Sequence, residues 1–143
     1  MKGFIVSPRV ARVYDFLSRV GPAPFSALKV ATGQKQDRLA KSLRALQGAG
    51  YAEPVWLQGI EFWTADGASF DLSTQETLAW FAARLEEAGG KYDAGQASFP
   101  GGQTLPIISR EGQLEMGKFC FVLDDLQKKP LSECFREIRK GSE

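Results

Sequence analysis

A chain of 143 residues makes one domain of ordinary size or two small ones. With 43% hydrophobic and 24% charged residues it carries a real core, which excludes a disordered or collagen-like chain. The net charge is +1 and there is no histidine, which removes Ser-His and Cys-His nucleophile pairs, His-ligated metals and imidazole acid–base chemistry.

An enzyme built from this chain would have to use carboxylates, lysine or a thiolate. The two cysteines, Cys120 and Cys134, form no CxxC pair and read as buried, reduced thiols of a cytoplasmic protein. No apolar run approaches the ~18 residues needed to cross a bilayer. The opening residues 1–6 are too short for a secretory signal. No membrane partner is expected.

The small net charge hides an asymmetry. Residues 1–66 hold nine Lys/Arg against five Asp/Glu, a net of +4, while residues 67–143 hold nine against twelve, a net of −3. A basic half beside an acidic half predicts that only the first half meets a polyanion. The break is placed at the polar stretch Asp66-Gly67-Ala68-Ser69.

In chain order, Pro8 opens a helix on which Val10, Val13, Tyr14, Leu17 and Val20 form one apolar stripe, stopped by Gly21-Pro22. Pro24 opens a short helix with Phe25, Leu28 and Ala31 inward, broken at Thr32-Gly33. A third helix is predicted from Lys35 to Ala49, with Leu39, Leu43 and Leu46 inward and Gly50 as its stop. A hairpin follows, 51–57 and 60–64, joined by Gln58-Gly59. Its two-residue loop puts Leu57, Ile60, Val55 and Phe62 on one face and Trp56, Glu61 and Trp63 on the other.

Helix, short helix, glycine turn, polar helix and two-stranded wing resemble a winged helix-turn-helix, most closely over residues 38–64 (RLAKSLRALQGAGYAEPVWLQGIEFWT). That resemblance implies DNA binding, with the third helix reading the duplex. At ~100° per residue, Lys41 lies opposite the leucine stripe, flanked by Gln34, Asp37, Arg44 and Ala45, with Arg38 to one side. The candidate DNA-binding residues are Lys35, Gln36, Arg38, Lys41, Ser42 and Arg44 on this helix and Gln58 in the wing. Arg9 and Arg12 are expected to add phosphate contacts from the first helix. The alternative is an ordinary solvated helix face. Two exposed indoles would be unusual, so the second half is expected to pack over Trp56 and Trp63; a dimer contact or stacking on unpaired bases are the alternatives.

In the second half, Ser73-Thr74-Gln75-Glu76 fits a capping box, and Leu78, Phe81, Ala82, Leu85 and Ala88 form the stripe of the helix it opens. Glycine-rich residues 89–103 read as turns or a loop. Strands are predicted at 104–109 and 117–123, with the turn residues 110–113 between them. Pro130 is expected to open a last helix with Leu131, Cys134, Phe135 and Ile138 inward and Arg139, Lys140 and Gly141 at its end.

Helix, strands and helix resemble the core of PD-(D/E)xK nucleases. The whole chain resembles the replication-relaxation family of plasmids and other mobile elements, which joins a winged helix to a nuclease-like unit. Residues 61–67 (EFWTADG), 105–113 (LPIISREGQ) and 119–140 (FCFVLDDLQKKPLSECFREIRK) carry this likeness. The nuclease chemistry does not follow. Pro106 precedes Ile107 where that pattern has an aspartate, and Phe121, Val122 and Leu123 stand where it has an acid and a lysine. Asp124 and Asp125 alone cannot supply the two or three carboxylates that hold Mg²⁺.

The expectation is therefore an α+β chain with a winged helix at 1–67 and a small α/β unit at 68–143. Its function is expected to be sequence-specific binding of double-stranded DNA, as a transcriptional regulator or a replication accessory protein of a plasmid or mobile element. No catalytic residue, metal or cofactor is expected. A homodimer is expected, with the second half supplying the dimer or partner contact. A winged helix used only for protein contact is the main alternative, and a nuclease the other.

Overall fold

Proline and glycine punctuate the helices of the first half. In the computed structural model, which describes residues 7–65, 74–110 and 113–138, Pro8 sits in the first turn of α1 (Pro8–Val20) and Gly21 closes it. Val13, Phe16, Leu17 and Val20 are buried, with Val10 and Tyr14 half-buried beside them. After the two-residue strand β1 (Ala23–Pro24) comes α2 (Phe25–Thr32), closed by Gly33 at φ 68°, a left-handed conformation that glycine adopts without strain. The third helix, α3 (Gln36–Gly48), buries Leu39, Leu43 and Leu46 as its spacing predicts.

The hairpin of β2 (Ala52–Leu57) and β3 (Ile60–Ala65) has the predicted register, Leu57 opposite Ile60 and Val55 opposite Phe62. Gln58 and Gly59 both have positive φ, 52° and 80°, as a tight type I′ hairpin turn requires. Strand β1 pairs antiparallel with β3, giving a sheet of order β1-β3-β2 that ties the hairpin to the helices.

The second half does not cover both indoles. Trp63 is half-buried against the core, but Trp56 is 70% exposed. Trp63 lies opposite Pro54, whereas Trp56 lies opposite Glu61, two residues nearer the turn. Strand β1 pairs with β3 at Trp63 and Phe62 and stops short of Glu61, so Trp56 lies ~7 Å along the hairpin from the covered position.

Helix α4 (Gln75–Glu87) is enclosed more widely than its predicted stripe. Ala79, Trp80, Phe81, Ala82, Ala83 and Leu85 are all buried, and Ala88, assigned to the stripe, is exposed. It is packed by α2, by β4 (Lys91–Asp93) and by α5 (Leu123–Lys128), and its small alanines permit close approach on several sides. Its N-cap is Thr74, one residue later than the capping box expects, and the Thr74 side chain makes no capping hydrogen bond. The proposed cap Ser73 lies outside the described residues, as do residues 1–6 and the break at 66–69.

Two clusters of hydrogen bonds fasten α4 and the following turn to α1. The Gln75 side-chain amide donates to the carbonyls of Val20 at 3.2 Å and Pro22 at 2.7 Å. Arg19 donates to Glu86 Oε2 at 2.7 Å and to the Tyr92 carbonyl at 2.6 Å, and its Nε to Asp15 at 2.9 Å. One hydrophobic cluster runs from Val13 and Phe16 through Leu28 and Leu43 to Phe81, Leu126 and Cys134.

The rest of the chain departs from expectation in three places. Residues 89–103 are not loop alone: β4, β5 (Gln96–Ser98) and β6 (Thr104–Pro106) make an antiparallel meander. Gly90 is required there, because a Cβ would stand 2.5 Å from the Ser98 carbonyl and 2.6 Å from Leu85 Cδ1. The single strand predicted at 104–109 splits at Ile107 into β6 and β7 (Ile108–Arg110), which belong to different sheets. Pro106 offers no N–H, and the Ile107 N–H instead donates to the Gly95 carbonyl.

The strand predicted at 117–123 is the shorter β9 (Phe119–Phe121), preceded by β8 (Gln113–Met116). The final helix is replaced by a 3₁₀ turn at Leu131–Glu133 and by β10 (Arg136–Glu137), which pairs with β9. Phe135 sets its ring 5.2 Å from both Phe119 and Phe121, so the chain completes a sheet of order β10-β9-β8-β7 instead of extending a helix. The proposed helix end at 139–141 lies outside the described residues, as do residues 111 and 112 of the predicted turn. Among the described residues the fold is mixed α+β with five α-helices and three small sheets. No helix among them is long and apolar enough to cross a membrane.

Cys120 and Cys134 are both buried and free, as their apolar surroundings predict. Burial pushes the Cys134 thiol above its ordinary range, with Asp125 adding to the shift. A thiol reagent is expected to label both only slowly in the native protein and at once after denaturation. Rapid native labelling would contradict their burial.

Candidate nucleic-acid interface

The outward face of α3 is set by its leucines. Because Leu39, Leu43 and Leu46 are fully buried, Arg38, Lys41 and Arg44 are turned to the exterior and exposed, and Gln36, the first residue of the helix, is exposed with them. Lys35, at the residue before the helix, and Gln58, at the hairpin turn, are exposed as well. Asp37 lies exposed in the first turn, where an acid complements the positive end of the helix.

Ser42 does not belong to this face. It is 3% exposed, and its hydroxyl donates to Gln34 Oε1 at 3.1 Å. Gln34, expected on the outer flank, is buried too, and its amide donates to the Arg9 carbonyl at 3.0 Å. The pair is a polar bridge from α3 to the first turn of α1. Helical arithmetic places Ser42 about 60° from Leu39, at the edge of the leucine arc, and the contact with Gln34 completes its burial. Gln34 lies before the helix, where that arithmetic does not apply.

The bridge brings the start of α1 beside α3. An open groove of about 440 Å³ lies between them, lined by Arg9, Val10, Arg38, Lys41 and Ala45 among others, and the little of Ser42 that is exposed also borders it. Three cations surround it and no carboxylate lines it. Arg12 is exposed on the same helix as Arg9.

Ion pairing divides the cations of the chain. Arg19, Arg84, Lys128, Lys129 and Arg136 each lie within 3.7 Å of a carboxylate. Among the described residues, no carboxylate pairs with Arg9, Arg12, Lys35, Arg38, Lys41 or Arg44. A phosphate contact made by these six would displace only solvent and counterions. Their donors suit phosphate oxygens, and Arg or Lys on a helix also suits the O6 and N7 acceptors of guanine.

The second half offers a different chemistry. Arg136 donates to Asp125 through Nε at 2.7 Å and Nη2 at 3.1 Å, and Lys129 lies 3.7 Å from the same carboxylate. Asp124 pairs with Lys128 at 2.9 Å. Among the described residues no group of three or more His, Cys, Asp or Glu could hold a metal ion. Incubation with supercoiled DNA and Mg²⁺ or Mn²⁺ is expected to leave the DNA intact. Cleavage that disappears in Asp124→Asn/Asp125→Asn would contradict this.

The hydrogen bonds from Arg136 hold the Asp125 carboxyl below its ordinary range. A depressed carboxylate contributes stability above its unfolded pKa of ~3.9 and loses it as pH falls through the folded value. Asp125→Asn should therefore melt lower than wild type at pH 7, with the two melting temperatures converging towards pH 3. Parallel melting curves across that range would contradict the pairing.

Compared with known proteins, the chain matches no family model, no curated protein and no solved structure.

Proposed function

We propose that residues 8–65 form a winged helix that binds double-stranded DNA sequence-specifically, with α3 in the major groove and the β2–β3 hairpin as the wing. The reading rests on one observation above all: six exposed cations on and beside α1 and α3 have no acidic partner among the described residues, while most cations of the second half do. The short strand β1, which anchors the hairpin to the helices, supports the same reading. Lys41, Arg44 and Arg38 would meet base edges or phosphates, Lys35, Gln36, Arg9 and Arg12 the backbone, and Gln58 the adjacent groove.

The cellular role is that of a cytoplasmic transcriptional regulator or a replication accessory protein of a plasmid or mobile element, without catalytic activity. Two copies would double a modest local charge, so the protein acts as a homodimer, with the second half providing the dimer or partner contact. An electrophoretic shift with the DNA upstream of its own gene, against unrelated DNA of equal length, tests this. Retardation of the upstream fragment at lower protein concentration is expected.

One observation favours a second reading. Trp56 at 70% and Ile60 at 39% exposure, with the exposed Glu61 opposite Trp56, leave an apolar and acidic hairpin tip with no cation on either strand. A winged helix that only contacts protein would use this tip, and would give no shift with any DNA.

A further inference from the structure

A second groove, bordered by Lys35, joins the two halves of the chain. It has a volume of about 520 Å³ and is lined by Ser26 and Lys29 of α2, Lys35, and Trp80, Arg84 and Glu87 of α4, among others. Lys29 and Lys35 are exposed and, among the described residues, unpaired. Gly33 also lines the groove, and no atom lies within 4 Å of where its Cβ would stand, so a ligand can approach the backbone.

The far wall is fixed. Trp80 is buried, and the Arg84 guanidinium lies 5.6 Å from its ring centroid. Arg84 also donates to the Leu126 carbonyl at 2.6 Å, the Gln127 carbonyl at 3.0 Å and Glu87 at 2.9 Å. With Arg84 already neutralised by Glu87, the free charge in the groove is that of the two lysines. Lys35 lines this groove and immediately precedes α3, so an anion held here lies at the start of the helix assigned to DNA.

We propose that this groove seats a phosphodiester of the DNA backbone flanking the segment read by α3, held by Lys29, Lys35 and the Ser26 hydroxyl. The inference rests on the DNA-binding reading and extends it, because α4 then borders the DNA as well as packing the core. It sets two effects of opposite sign on the two walls. Removing Lys29 takes away a phosphate contact. Removing the charge of Glu87 takes away a repulsion, while Arg84 keeps its two carbonyl partners.

The test is a salt titration of duplex binding by the full chain as wild type, Lys29→Ala, Glu87→Gln and, as a control cation outside the groove, Lys91→Ala. Lys29→Ala should flatten the slope of log affinity against log salt by about one unit, equally for target and unrelated sequences. Glu87→Gln should bind both sequences more tightly, and Lys91→Ala should behave as wild type. The proposal is overturned if Lys29→Ala keeps the wild-type slope, or if Glu87→Gln gains nothing. Calorimetry with inorganic phosphate and no DNA forms a second arm. Heat that vanishes in Lys29→Ala while the DNA slope is unchanged would assign the groove to free phosphate and reject the proposal. If wild type binds no DNA, the DNA-binding reading fails first, and its failure is seen in wild type alone.

Discussion

The double variant Lys41→Ala/Arg44→Ala is expected to keep the wild-type melting temperature and to lose most DNA affinity. Both side chains are exposed and make no ion pair among the described residues, so truncation removes no internal contact of charge. Surface changes of this kind alter stability by no more than ~0.5 kcal/mol each. Each lost base contact costs ~1–3 kcal/mol, so two together cost ~2–6 kcal/mol, at least about 30-fold in affinity. The way the loss is distributed identifies the contact. A base contact relaxes specificity at one position, whereas a phosphate contact weakens all sequences alike and flattens the salt slope. Unchanged affinity in a folded variant would remove α3 from the reading role.

The largest effect on stability is expected from Phe81→Ala. Phe81 is fully buried on α4, its ring 4.7 Å from Phe121, and α4 is the helix packed by both α2 and α5. Truncating a buried phenylalanine costs ~3–5 kcal/mol, a large part of the ~5–15 kcal/mol that holds a typical domain folded. The melting temperature should fall by about 10 °C or more. Thermal unfolding followed by circular dichroism checks this, and a shift under ~2 °C would mean that the site relaxes around the deletion or that Phe81 is not packed as described.

Local order was legible where punctuation and periodicity agreed. The proline and glycine boundaries of α1 and α2, the leucine stripe of α3 and the register around Gln58-Gly59 all follow from residues within a few positions of each other. What the sequence hid depends on distant partners. Strand β10 exists because β9 presents an edge and Phe135 finds Phe119 and Phe121; locally, Pro130 and the spacing of Leu131, Cys134 and Phe135 fit a helix equally well.

The alternation Gln113-Leu114-Glu115-Met116 has the two-residue period of β8, with Leu114 and Met116 buried. Of the proposed DNA-binding residues, six are exposed and Ser42 is not; the helical angle alone does not separate them, since Gln36 lies as near Leu39 and is exposed, and the partner that covers Ser42 is Gln34. The two grooves could not be read locally, since each is formed by elements far apart in the chain.

Titrating salt against the affinity of wild-type protein for the duplex upstream of its own gene tests the account most directly. The six cations without an acidic partner among the described residues, at about 0.9 per phosphate neutralised, allow each bound copy a slope of log affinity against log salt of about −5, and Lys29 about one more, with tighter binding to the upstream sequence than to unrelated DNA. The account predicts a steep linear fall and that preference. Absence of binding to any duplex at low salt, from a folded protein, would contradict it and leave the hairpin tip around Trp56 as the surface that carries the function.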